Sequence, residues 1–375
     1  MRTKVTVVST AAMAVSMLPL FVLGALGPVL VAEFGLAQWH LGALVAGGFG
    51  VAAVLSLPAG ALVDRVGAGR SLVGLFVVGA AVLGVIVVAP SAWVVAVGVA
   101  LGGVPQALAN PATNKVILAV VEPAHRGRVT GWKQSGVQVG AFVAGVPLAA
   151  IASIVDWRWG VAALALLCLA VAPVARMPVP HSPPKAGGGE LGSRVPALAV
   201  FSLALGFGLA SVNTYFVLYG VDRLGLSAPV AAWLIAVMGV LGIAGRVLWS
   251  GAAGRADDSA SVLPVLALGA AGSIAVVAVA DALPWLVWVG AVGVGVFAVS
   301  GNAVSMVAVM RAVPPASAGR AAAVASAGFF GGFALGPPLT GLVLHAAGYP
   351  WLWVCVGAAF LAAAAVAVMI TRSTR

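Results

Sequence analysis

The chain has 375 residues, 62% of them hydrophobic and only 7% charged, with a mean hydropathy of +1.16. A soluble protein needs about a quarter of its residues charged to cover its surface, so a soluble globular fold is excluded and the chain reads as an all-α membrane protein. The net charge of +10 does not point to nucleic acid, because the basic residues are scattered between apolar runs and form no single basic face.

From the N-terminus, a basic start leads into an apolar stretch that runs to about Ala32. That is longer than a signal-peptide core, so it reads as a first span. A crossing helix needs about 20 apolar residues, and twelve runs qualify: 7–32, 39–62, 71–90, 92–118, 129–152, 159–175, 195–220, 228–250, 260–280, 284–311, 320–345 and 351–371. The longest polar interruption, RMPVPHSPPKAGGGELGSR at 176–194, is rich in Pro and Gly and reads as a cytoplasmic linker. It separates an N-terminal six-helix bundle, 1–175, from a C-terminal one, 195–375.

Loop charge orients the chain. Arg2, Lys4, Arg65, Arg70, Arg126, Arg128, Arg176, Lys185, Arg194, Arg255, Arg311, Arg320, Arg372 and Arg375 collect on one side, and only Arg158 and Arg223 on the other. The positive side faces the cytoplasm, which places a multi-pass protein in the cytoplasmic membrane with both termini inside. The two cysteines, Cys168 and Cys355, lie within apolar runs and build neither a metal spacing nor a disulfide framework.

The halves repeat. An offset of 192 residues carries Gly127, Arg128, Gly136 and Gly140 onto Gly319, Arg320, Gly328 and Gly332, and Asn110 onto Asn302. Pro123 falls on Pro315, and Trp159 on Trp351. Matches at one offset indicate duplication, and two pseudo-symmetric six-helix bundles around a central cavity form a transporter architecture with substrate near the midplane.

The loop between the second and third spans, GALVDRVGAGR at 60–70, carries Gly60, Leu62, Asp64, Arg65, Gly67 and Arg70. In that pattern the chain resembles the major facilitator superfamily; DWRW before the sixth span and EFGL after the first are also similar to it. The resemblance implies a twelve-helix fold, secondary transport by alternating access, and a gating role for this loop. Apart from the family, its glycines suit a tight turn and close helix approach, and an aspartate suits the positive N-terminal end of a neighbouring helix. The second copy has Arg255 in place of Asp64, so any such latch is asymmetric.

Three basic residues fall inside spans: Lys115, Lys133 and Arg246. An intramembrane charge is a functional hypothesis by default, and snorkelling is its bland alternative. Lys133 shares a helical face with Gly136, Gly140 and Ala144, and Arg246 with Gly239 and Gly242, so both are expected to point into protein. Lys115 lies off the polar stripe of Gln106, Asn110 and Asn114 and is the expected snorkeller, ranked last as a ligand for substrate. That stripe, at i, i+4 and i+8, lines a cavity or bonds a neighbouring helix. Gln134 and Gln138, Asn302, Asn213 and Tyr215 complete the candidate lining, while Tyr219 near the outer end reads as an interfacial anchor.

All nine carboxylates fall at span ends or in loops, and the histidines supply no deep titrating group. Cations without acids suit an anionic or zwitterionic substrate by charge complementarity, with a small organic anion, a carboxylate, as the first choice; a coupled proton or counter-substrate stays open. The rival readings are an efflux pump for lipophilic or cationic compounds and a non-transporting sensor on the same fold. No enzyme chemistry, cofactor, metal or catalytic residue is expected: no nucleophile–base pair or metal set lies at one depth, and no phosphate-binding loop occurs. The expected partners are the substrate and the lipid bilayer, with no nucleic acid, around a monomer.

Overall fold

The computed structural model describes residues 1–35, 38–177 and 191–372. Residues 178–190 of the expected linker, with His181, Lys185 and Glu190, lie outside the described residues, as do Leu36 of the EFGL stretch and Arg375. Among the described residues all regular structure is helical: α1 Arg2–Ala25, α2 Gly27–Phe34, α3 Gln38–Val66, α4 Ala68–Val87, α5 Ala92–Leu101, α6 Gly103–Val120, α7 Pro123–Ile154, α8 Trp157–Val171, α9 Arg194–Asp222, α10 Ala228–Arg255, α11 Leu263–Ala278, α12 Leu286–Gly293, α13 Val299–Ala312, α14 Ala318–Ala347 and α15 Tyr349–Arg372. Helices satisfy their own backbone polar groups, which hydrocarbon requires.

Each of the twelve expected runs falls on one helix or on a consecutive pair. Ten stretches among the described residues are long and apolar enough to cross a membrane; α8, at 15 residues, is shorter. The first run is broken at Leu26 between α1 and α2. The fourth is broken at Gly102, where a Cβ would sit 2.8 Å from the Pro19 Cβ of α1. The tenth passes from α12 to α13 through a π turn, Val294–Ala298.

Two compact units emerge, one made of 1–121, 133–190 and 314–327, the other of 122–132, 191–313 and 328–375. In the first, α7 lies on α1: a Cβ at Gly136 would collide with the Thr10 carbonyl, and one at Gly140 would fall 2.8 Å from that of Ala14. The small-residue face beside Lys133 is therefore a helix-packing face, as its spacing predicts. In the second, α14 lies on α9 in the same way, Gly328 against the Ala199 carbonyl and Gly332 against that of Leu203. These glycines are the ones matched by the repeat.

Polar knots tie helix ends within each unit. In the first, Glu33 accepts from Trp157 Nε1 at 2.7 Å and from Arg158 at 2.6 Å, and Arg158 also donates to the Ala89 carbonyl. In the second, Tyr349 donates to Asp222 at 2.8 Å, and Tyr219 and Arg223 donate to Asp281 at 2.9 and 3.0 Å. Tyr219 is thus no interfacial anchor. Its side chain is buried, and its ring packs against those of Tyr349 and Trp353 on α15, with centroids 5.3 and 5.2 Å away.

Candidate functional site

α6 carries the polar stripe expected of it, and all three members are buried: Gln106 and Asn114 at 0% exposure and Asn110 at 3%. Their spacing puts them on one face of the helix. Facing Asn110 and Asn114 is Lys133 of α7, itself fully buried. Its ammonium donates to Asn110 Oδ1 at 2.8 Å and to Asn114 Oδ1 at 2.6 Å. An ammonium has donors and no acceptor, so it fixes both asparagines with their oxygens inward.

Gln134, next along α7, donates to the same Asn110 oxygen at 3.1 Å, and Asn110 Nδ2 donates to Ser326 of α14 at 2.9 Å. Lys133 does not snorkel: it sits in a buried amide cluster within the first unit. Sequence reasoning missed Ser326. The repeat places it at the position of Gln134, and that signal was available. Gln138, one turn on, is half-buried. At Gln106 neither amide atom has a hydrogen-bond partner among the described residues.

The neighbour of Asn114 has a different fate. Lys115, expected to reach the headgroups, is 7% exposed and pairs with Asp64 at 2.8 Å. The correction has a physical reason: Asp64 sits at the end of α3, within reach of a long side chain leaving the off-stripe face of α6. The Asp64 carboxylate also lies against Gly319 at the start of α14, where a Cβ would fall 2.5 Å from its Oδ1. A helix N-terminus is where an aspartate is favoured, and Gly60, one turn back, makes room for α14 by lacking a Cβ that would fall 2.5 Å from Ala323. Gly67 takes φ 95° in the turn to α4, a conformation that favours glycine. Arg65 and Arg70 are exposed.

In the second unit the start of α7 lies on α10 as α14 lies on α3. Gly127 packs against Ser250 and Gly254, and a Cβ on Gly131 would fall 2.6 Å from the Arg246 carbonyl. At the position of Asp64 the second copy has Arg255, so the two crossings differ in sequence. Arg246 is 3% exposed and donates from Nε to the Val299 carbonyl at 3.1 Å, just past the π turn. Asn302 is buried with its Oδ1 unpartnered among the described residues. Tyr215 donates to the Pro337 carbonyl at 2.7 Å, and Asn213 is exposed. Lys133, Asn110, Asn114 and Gln134 therefore form one cluster, while Arg246, Asn302 and Tyr215 have other surroundings. Among the described residues no group of histidine, cysteine and carboxylate side chains could hold a metal ion.

Residues 9–301 match the family model described as Major Facilitator Superfamily. No curated protein sequence matches the chain. Among solved structures it is similar to the human organic anion transporter MFSD10 (TETRAN), with a TM-score of 0.82 at 14% identity, covering 98% of this chain and 99% of that one. It is similar to the proton:xylose symporter XylE bound to 6-bromo-6-deoxy-D-glucose, with a TM-score of 0.75 at 18% identity over 97% and 94% of the two chains. The transporter FucP in its outward conformation gives 0.74 at 14% identity over 97% and 98%. Identities this low establish the shared fold.

Proposed function

The chain belongs to the Major Facilitator Superfamily, and from that premise we propose that it is a secondary active transporter moving a small organic anion, a carboxylate, across the cytoplasmic membrane by alternating access. Both termini lie in the cytoplasm on the loop-charge argument. One observation carries the choice of an anion. The Lys133 ammonium has three N–H donors, and two of them are occupied, both by neutral amides. Lys115, on the facing helix, is neutralised by Asp64. Among the described residues, the same unit thus holds one buried lysine with a counter-charge and one without.

Burying an uncompensated charge costs several kcal/mol, of order 3–5 when a partner is missing. A ligand carboxylate that takes the third donor offsets that cost when it binds. The similarity to an organic anion transporter agrees with this reading, but at that identity the weight rests on Lys133.

The test is a thermal-shift panel on protein purified in detergent, with carboxylates, amino acids, sugars and lipophilic cations run on wild type and Lys133→Ala. A carboxylate at about a hundred times its Kd adds about 2.7 kcal/mol and raises the Tm of wild type alone. The reading fails if lipophilic cations stabilise both proteins, or if a carboxylate stabilises Lys133→Ala as well as wild type.

A further inference from the structure

Gln106 is fully buried on α6, and both its amide oxygen and its amide nitrogen lack a hydrogen-bond partner among the described residues. Buried side-chain polar atoms nearly always have partners, so an amide with neither its donor nor its acceptor met asks what meets them. Its position supplies the answer. Gln106 lies one turn before Asn110 on the face whose next two members hold the Lys133 ammonium. At 1.5 Å of rise per residue, four residues separate it by about 6 Å along the helix from Asn110, the nearer of the two residues that hold the ammonium. An unmet amide and the two asparagines that hold an ammonium with a spare donor occupy one stripe of α6.

We infer that Gln106 is a second recognition point of the Lys133 site, and that the site takes carboxylates bearing a neutral group that both donates and accepts a hydrogen bond, a hydroxyl or a carboxamide, about 6 Å from the carboxylate. This rests on the reading of Lys133 as the anion anchor. The amide of Gln106 offers two donors and an acceptor. A hydroxyl or carboxamide satisfies both kinds. A methyl group satisfies neither. A second carboxylate accepts from Nε2 but leaves Oε1 unmet, and it brings a second negative charge to a cluster with one cation. The site therefore selects a mono-anion with a polar tail over both its alkyl analogue and its dicarboxylate analogue.

Matched ligands decide the matter on wild-type protein in detergent: 4-hydroxybutyrate, butyrate and succinate, with Kd from calorimetric titration. Leaving a buried donor or acceptor unmet lowers affinity about ten- to a hundredfold, so 4-hydroxybutyrate binds tighter than butyrate by that factor, and succinate gains nothing over butyrate. In Gln106→Met the ratio falls to about one. Gln106→Asn, which draws the amide back by one methylene, moves the preference towards 5-hydroxypentanoate; either variant suffices if the other does not fold. Equal affinity of wild type for 4-hydroxybutyrate and butyrate overturns the role of Gln106, with an ordered water as its partner, and leaves Lys133 as an anion anchor. A ratio unchanged in the variants overturns it too. Binding of none of the three carboxylates by wild type sinks the Lys133 reading itself.

Discussion

Removing either partner of the Asp64–Lys115 pair tests the most specific contact that the signature loop makes. The Lys115 and Asp64 side chains are 9% and 4% exposed and 2.8 Å apart, so the pair belongs with buried ion pairs and not with surface ones, whose worth is about 0–1 kcal/mol. Lys115→Met leaves Asp64 with its Oδ1 stripped of the ammonium and its Oδ2 already unpartnered among the described residues, beside the start of α14. The loss expected for an orphaned buried charge is about 3–5 kcal/mol. Asp64→Asn keeps an oxygen for the ammonium, as Asn110 and Asn114 do for Lys133, and costs less. With both replaced no charge is buried, and such replacements are often neutral or stabilising. The double variant therefore lies closer to wild type than Lys115→Met does. Reversible unfolding of the four proteins in mixed detergent–SDS micelles, followed by tryptophan fluorescence, gives the cycle. Additive single effects, or a loss below about 1 kcal/mol for Lys115→Met, refute the reasoning.

Two further outcomes follow from close contacts and charge. Gly319→Ala places a methyl 2.5 Å from Asp64 Oδ1 and loses about 1–3 kcal/mol by overpacking in the same unfolding assay, whereas Gly331→Ala, whose nearest neighbour would be 4.0 Å away, shows no such loss. Glu33 is held below its ordinary value of 4.5, first by its hydrogen bond from Arg158. Its stabilisation is thus full above that value and is lost as the pH falls through the lower folded-state value. The stability gap between wild type and Glu33→Gln accordingly narrows below pH 4.5, and a gap constant from neutral to acid pH refutes the role of the ion pair.

Much of the fold was legible because bilayer physics leaves few options. A run of apolar residues of crossing length must be a helix, and twelve such runs became helices or helix pairs. What the runs hid were interruptions inside them. Hydropathy does not change at Leu26, at Gly102 or at the π turn, because these are backbone events; at Gly102 the close neighbour is Pro19, and after Leu26 Pro28 stands in the first turn of the next helix. At the candidate site, helical phase told Lys133 apart from a snorkeller because its face was lined with Gly136 and Gly140, whose missing side chains mean a neighbour. The same logic failed for Lys115. Its face held no small-residue stripe, and its partner Asp64 comes from a separate helix that no spacing within α6 reveals. Tyr219 failed for the same reason: Asp281 and Trp353 reach it from beyond the end of α11 and from α15.

The duplication shows which features of the first copy have counterparts in the second. Backbone features recur at the offset of 192: the break at Gly102 falls on Val294, where the π turn begins, and the aromatic donor of the polar knot, Trp157, falls on Tyr349. The buried lysines do not recur. Lys115, Asn114 and Lys133 fall on Val307, Met306 and Ala325. Only Asn110 keeps its identity, as Asn302, and the fate of that copy shows what the substitutions removed. Asn110 Oδ1 accepts from Lys133 and Gln134; their counterparts are Ala325, which has no side-chain donor, and Ser326, which is itself bonded to Asn110. Asn302 Oδ1 has no partner among the described residues, and neither counterpart residue carries the ammonium or amide donor that Asn110 has. Close helix packing depends on small residues at fixed positions and is retained in both copies, whereas a buried cation needs a whole set of partners and stands or falls with them.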